Sequence, residues 1–328
     1  MISRRQFVQG AGVAGLALVG CGRLPGQAQA PARIPHIGWL GFDAPPSLRE
    51  AFLQGLHNLG YVEGQYVMVE PRGSGDGNFD RVAALAAELI QLPVDVIVAA
   101  TGPDARVAKD ATSSIPIVFA TSANPVGQGL VASLARPGGN VTGVSTVQQQ
   151  LAGKRVELLQ AVFPELSQVG VLWNTAFGAL GDLWEDTRAA AQALGVGLQL
   201  LELPDPNGFE SVVEVILRQR VDGLIALTGT RAYLSQIIDL AARHRLPAIY
   251  PQGEFVEAGG LMYYGPDVTA HFRRAAYYVD RILKGTKPAD LPVEQPREFD
   301  FVINLKTAQA LGLTIPQHVL LQATQVIE

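Results

Sequence analysis

The chain has 328 residues, 48% of them apolar and 17% charged, with a formal net charge of −5. These proportions suit a well-buried α/β protein rather than a disordered one, and no basic patch points to nucleic acid. Cys21 is the single cysteine, so no disulfide holds the fold and stability must rest on core packing.

The first residues read as an export leader. Arg4-Arg5 stand before an uncharged apolar run from Phe7 to Gly20, and with Ser3 and Phe7 they form the twin-arginine version of a signal peptide. The run falls short of the roughly 20 apolar residues that span a membrane. Setting those arginines aside leaves a charge of about −7 on the remaining chain. Leu18-Val19-Gly20-Cys21 resembles a lipobox, in which the leader is cut before a cysteine whose sulfur is then acylated. Ala28-Gln29-Ala30 offers a second exit, an A-x-A site that would release a protein beginning at Pro31. Gly10-Ala11-Gly12-Val13-Ala14-Gly15 matches G-x-G-x-x-G, but no strand precedes it, so it is not read as a dinucleotide site. The expected boundaries are a signal peptide over 1–21 and a flexible spacer over 22–34.

A regular alternation follows. Strands are expected over Ile34–Phe42, Tyr66–Glu70, Val94–Ala99 and Ile117–Ala120, with helices over Leu48–Leu59 (Ser47 as N-cap), Phe79–Gln91 and Ala105–Thr112. Val94–Ala99 is a continuous apolar run, as in a parallel strand buried on both faces. Beyond Pro137-Gly138-Gly139-Asn140 the pattern resumes. Helices are expected over Leu151–Phe163, Leu180–Leu194, Phe209–Gln219 and Tyr233–Arg245, with strands over Gln168–Trp173, Gly197–Leu203, Gly223–Leu227 and Ala248–Tyr250. Past Tyr250 it loosens: a strand at Leu261–Tyr264, a helix at Phe272–Leu283, a connector at Pro288–Pro296, a strand at Phe299–Ile303 and a helix at Leu305–Leu311. Alternation of this kind implies two Rossmann-like α/β lobes with parallel sheets. A late irregular segment lets the chain recross between them and form a hinge.

Open α/β sheets hold ligands beyond the carboxyl ends of their strands. The loops there carry Phe42, Asp43, Thr101, Asp104, Thr121, Ser122 and Asn124 in the first lobe and Trp173, Asn174 and Thr228 in the second. Gln252, Tyr263 and Tyr264 come from the later crossings. Hydroxyls of Thr101, Thr121 and Ser122, with backbone N–H groups at helix starts, suit a carboxylate. Asp43 or Asp104 suits an ammonium, and Phe42, Trp173, Tyr263 and Tyr264 suit an apolar or aromatic group. The same residue types also serve as helix caps, turns and lobe core. No catalytic set is visible. The five histidines (His36, His57, His244, His271, His318) lack metal spacing, and there is no G-x-S-x-G elbow or phosphate-binding G-x-x-x-x-G-K. No enzyme activity, metal or cofactor is expected.

Several segments carry a family resemblance: Ile115-Pro116-Ile117-Val118-Phe119 leading to Asn124-Pro125-Val126, Arg136-Pro137-Gly138-Gly139-Asn140, Phe255-Val256-Glu257-Ala258-Gly259-Gly260 and Leu291-Pro292-Val293-Glu294-Gln295-Pro296. From about Pro35 to Glu328 the chain resembles the ABC-transporter substrate-binding protein family that includes tryptophan-binding lipoproteins. The resemblance implies a type I periplasmic-binding fold with three crossovers and a central ligand cleft. It also implies a small solute such as an amino acid, small carboxylate or aromatic compound, a membrane permease as partner, and a periplasmic or lipid-anchored extracytoplasmic location. The chain departs from the family at Asn124, where Asp is usual, and at Tyr263, where a small residue is usual, so tryptophan is not carried over as the ligand. The lobes are expected over 35–145 with about 251–285, and over 146–250 with about 286–328. A ligand-sensing receptor domain of a signalling system is the alternative reading, and an exported α/β enzyme a third.

Overall fold

A computed structural model describes residues 33–41, 44–73, 81–175, 181–203 and 209–328. The leader with Cys21, both cleavage sites, and Phe42 and Asp43 lie outside the described residues.

The first lobe runs β1 (His36–Leu40), α1 (Pro46–Asn58), β2 (Met68–Arg72), α2 (Val82–Gln91), β3 (Val96–Ala99), α3 (Gly102–Ala111), β4 (Ile117–Ser122) and β5 (Val141–Ser145). Its five strands pair in parallel in the order β2-β1-β3-β4-β5. Helix α1 starts at Pro46, not after a Ser47 cap, because proline suits the first helical position, where its missing N–H costs nothing. Strand β5 was not expected. Thr142 and Gly143 interrupt its apolar run, and Gly143 is required there because a Cβ would lie 2.1 Å from the Phe119 carbonyl oxygen.

The second lobe begins with α4 (Gln148–Val162), β6 (Gln168–Asn174), α5 (Gly181–Ala193), β7 (Gly197–Leu203), α6 (Phe209–Gln219) and β8 (Gly223–Ala226). It continues with α7 (Leu234–His244), β9 (Ala248–Tyr250), α8 (Glu254–Glu257) and β10 (Met262–Gly265). Helix α9 (Val268–Leu283) follows, then β11 (Asp300–Asn304), α10 (Leu305–Leu311), α11 (Gln317–Leu320) and β12 (Gln325–Ile327). The sheet order is β12-β11-β10-β9-β8-β6-β7, parallel except for the β10–β11 pair.

The late crossings differ from the expected boundaries. Strand β10 sits in the second sheet, with Met262 opposite Ile249, although residues 251–285 were assigned to the first lobe. Met262 and Tyr263 point to opposite faces there and fill both cores of the second lobe. Only α9 returns to the first lobe. Conversely, the first part of the 286–328 segment stays with the first sheet. The Leu291 carbonyl accepts from Thr142 Oγ1 at 2.7 Å, and Glu294 forms a parallel bridge with Val144. The chain therefore passes between lobes after β5, before α9 and after Glu294.

Each sheet is covered on both faces. In the first lobe Ile97, Ala99 and Phe119 pack beneath α2 and α3, while Trp39, Val96, Val98 and Val118 pack beneath α1 and α9. Phe272, Ala276 and Val279 of α9 meet Phe52 and Leu56 of α1. The helices approach closely at Gly55, where a Cβ would lie 2.6 Å from the Arg273 carbonyl oxygen. In the second lobe Val171, Ile225 and Ile249 lie under α4, and Leu172, Leu224 and Tyr250 face α6 and α7. Among the described residues no helix is long and apolar enough to cross a membrane.

Gly55→Ala forces α1 away from α9, and urea unfolding should show a loss of about 1–3 kcal/mol. His271, on α9, is 6% exposed, and burial lowers its pKa from 6.5 to about 4, against a smaller opposing pull from Asp267. The unfolded chain binds this proton first. The stability that neutral His271 contributes is therefore complete above pH 6.5 and falls as pH drops toward 4, by an amount of order 3 kcal/mol. Melting temperature measured from pH 7 to 4 should fall more steeply in the wild type than in His271→Gln.

Candidate functional site

The carboxyl ends of both sheets border a cavity of about 330 Å³. From the first lobe it receives Thr101, Gly102 and Pro103 after β3, Thr121 and Ser122 at the end of β4, and Asn124 and Gln128 in the loop beyond. The first crossing contributes Thr146 and Gln148. Trp173 at the end of β6, Leu183 of α5, Thr228 after β8 and Gln252 after β9 come from the second lobe, and Val268 from the start of α9. Pro103, Trp173, Leu183 and Val268 form an apolar part of the wall, and the polar side chains of the lining are uncharged among the described residues.

The structure brings together seven of the residues singled out from sequence: Thr101, Thr121, Ser122, Asn124, Trp173, Thr228 and Gln252. Four others lie outside the lining. Asp104 is fully buried and completes a capping box with Thr101 at the start of α3. Asn174 donates from Nδ2 to the Gly229 carbonyl at 2.9 Å and fixes the loop behind Thr228. The Tyr263 hydroxyl donates to the Pro266 carbonyl at 2.6 Å. Tyr264 packs with its ring centroid 6.1 Å from Phe299 and 6.2 Å from Phe301.

The hydroxyls were expected to donate to a carboxylate, but their protons are committed within the chain. Thr101 Oγ1 donates to Asp104 Oδ2 at 2.6 Å, Thr121 Oγ1 to the Ala100 carbonyl at 2.9 Å, and Ser122 Oγ to Gln128 Oε1 at 2.6 Å. Thr146 Oγ1 donates to the Ser122 carbonyl at 3.2 Å. A hydroxyl has one proton and two acceptor sites, so once that proton is spent it offers lone pairs. Two lining groups have the opposite standing: Thr228 Oγ1 and Gln252 Oε1 are buried without a hydrogen-bond partner among the described residues. Buried polar atoms seldom stay unpaired without a reason, and a polar ligand is one.

Gln148 and Thr146 were not anticipated. They flank Val147, whose φ of 46° and ψ of 33° place a β-branched residue in the left-handed region. Such strain persists where surrounding structure enforces it, often at functional sites. It turns the chain out of β5 into α4 without a side-chain cap on the helix. Behind Gln148 lies Arg155, with 0% of its surface exposed. Its Nη2 donates to Gln148 Oε1 at 2.6 Å and its Nε to the Tyr264 carbonyl at 3.0 Å, while Nη1 is buried without a partner among the described residues. Burial lowers its pKa from 12.5 to about 10, with Tyr263 and Tyr264 pulling the other way, so it remains a cation at neutral pH. The spacing of seven between Gln148 and Arg155, two turns on one helix face, is the signal that sequence reading passed over.

No group of three or more His, Cys, Asp or Glu residues that could hold a metal ion occurs among the described residues.

Known proteins agree with this architecture. A solved domain from Streptococcus pneumonia, in complex with L-Trp, is 31% identical, with a TM-score of 0.80 over 89% of this chain and 99% of that one. A conserved domain protein from Vibrio cholerae is 30% identical, with a TM-score of 0.83 over 90% and 100% of the two chains. A tyrosine-binding protein of Clostridioides difficile is 26% identical over 288 residues, covering 82% of this chain and 78% of its own. The fold is that of a type I periplasmic binding protein, with two parallel-sheet lobes. The family model for ABC transporter substrate binding proteins matches residues 40–327, and the chain belongs to that family.

Proposed function

We propose that this chain is the extracytoplasmic receptor of an ABC importer and that it binds a single aromatic amino acid between its lobes. The observation that carries the reading is the cavity itself. It is built from the strand ends of both lobes and holds about 330 Å³, at the small end of ligand sites. It combines the Trp173 ring with polar side chains still lacking partners. Relatives named for tyrosine binding, or solved with L-Trp, support the aromatic class. Thr101, Thr121, Ser122, Asn124, Trp173, Thr228 and Gln252 are the proposed contacts, joined by Gln128, Thr146 and Gln148. Asp104, Asn174, Tyr263 and Tyr264 act one step back, holding the loops that present them. The three crossings serve as the hinge on which the lobes close, and the closed form docks on a membrane permease.

The aromatic reading predicts that L-tyrosine or L-tryptophan raises the melting temperature where sugars and aliphatic amino acids do not. A ligand at 100 times its Kd adds about 2.7 kcal/mol of stability. Trp173→Ala should weaken that binding by about tenfold or more, as expected when a buried aromatic contact is removed. No shift with either aromatic amino acid would overturn the aromatic assignment.

Export through the twin-arginine leader is proposed to end in lipid attachment at Cys21, leaving the receptor tethered through the spacer before β1. Cys21→Ser should then move the protein from the membrane to the soluble extracytoplasmic fraction. Retention of that variant on the membrane would rule the tether out.

A further inference from the structure

The polar groups around the cavity are not equivalent, and their arrangement gives the ligand a direction. On the first-lobe side the Thr101, Thr121 and Ser122 hydroxyls have given their protons to a carboxylate, a carbonyl and an amide oxygen. What remains on them is acceptor capacity, which suits a donor, although at Thr101 part of it is used because Oγ1 also accepts from the Asp104 N–H at 3.3 Å. At the start of α4 the order is reversed. A guanidinium cannot accept a hydrogen bond, so the bond from Arg155 Nη2 fixes Oε1 as the inward end of the Gln148 amide. The amide nitrogen, which makes no hydrogen bond among the described residues, is the end left for a ligand.

Charge reinforces this polarity. Arg155 is completely buried, its hydrogen bonds go to neutral oxygens, and Nη1 has no partner among the described residues. A buried cation without an anion is costly, and a negative group brought near it recovers part of that cost. The first turn of α4 adds to the same field. The helix is 15 residues long and has no side-chain cap, and a helix start carries partial positive charge.

We propose that Gln148, held by Arg155, receives the α-carboxylate of an amino-acid ligand, and that the first-lobe hydroxyls receive its ammonium. Arg155 is a positioning residue, since it acts through Gln148 and does not line the cavity. The inference rests on the amino-acid reading above. It goes further by assigning each end of the ligand to a lobe, so that the ligand bridges the cleft with its charges in a fixed sense. It also makes the site selective for amino acids over the corresponding amines, which have the same ring and ammonium but no carboxylate.

The test is calorimetric titration of the full mature chain with L-tyrosine, L-tryptophan, tyramine and tryptamine. A hydrogen bond to a charged group contributes about 1.5–3 kcal/mol, so the wild type should prefer each amino acid over its amine by about tenfold or more. Gln148→Met should lose about tenfold more affinity for the amino acids than for the amines and bring the ratio close to one. Gln148→Glu should abolish amino-acid binding while amines still bind. Arg155→Lys should keep much of the preference and Arg155→Met lose it. If Arg155→Met fails to fold, the Gln148 variants decide alone. A wild type that binds amino acids and amines equally, or a Gln148→Met variant that keeps the full preference, would overturn the assignment and leave the solute-binding reading intact. The second of these outcomes would place carboxylate recognition away from Gln148, and the first would mean that the site does not recognise the carboxylate. A wild type that binds none of the amino acids would overturn the amino-acid reading and this inference with it.

Discussion

The contact on which the architecture depends is the packing of α9 against α1. The five strands of the first lobe have two apolar faces, and the chain preceding β5 supplies α2 and α3 for one face but only α1 for the other. The second cover comes from residues 268–283, after the chain has built β6 to β10 in the other lobe. Phe272, Ala276 and Val279 close over Trp39, Val98 and Val118, and Gly55 permits the close approach. Removing that area from water is worth roughly 25 cal/mol per Å² of apolar surface. Neither lobe can be completed from one continuous piece of chain, so the crossings are a condition of burial.

The cavity follows from the same arrangement. Parallel strands place their carboxyl ends and the following helix starts on one edge, and two such edges face each other here. That brings Thr101, Thr121, Trp173 and Thr228 to one space although they are spread over more than a third of the chain. The polarity of the space comes from which protons the protein has already used. Four lining hydroxyls are spent as donors, while one guanidinium fixes an amide in the donor sense. Residue type alone would not reveal this, since a threonine can face a ligand either way.

Much of the fold was legible because buried parallel strands leave unbroken apolar runs, as at Val94–Ala99, and because turn residues separate them. β5 escaped because its pairing is set by a glycine demanded by the Phe119 carbonyl, a contact between residues 24 apart. The lobe assignment of β10 escaped because strand pairing is non-local: Met262 and Tyr263 carry no mark of which sheet they join. In the site, residues directly after strand ends were legible by position. Asp104 and Asn174 share that position, but their side chains are turned inward to a helix cap and a loop carbonyl. Gln148 was hidden for a different reason. Its standing depends on Arg155, and a lone arginine in a helix ordinarily reads as solvated surface.

Glu294 joins the crossings to one another. Its carbonyl accepts from Ser145 N–H at 2.8 Å, its N–H donates to the Gly143 carbonyl at 3.2 Å, and its carboxylate takes a bidentate pair from Arg274 of α9 at 2.7 and 2.6 Å. The first and third connections thus start from a shared piece of ladder, with α9 fastened beside them. Mechanically they form a ribbon, compliant to flexing across its flat face and resistant to shear along its length. Three separate tethers would leave the lobes free to slide, twist and rock. A ribbon removes most of that freedom, so the closure proposed above would follow one dominant angle and return the same side chains to the same positions.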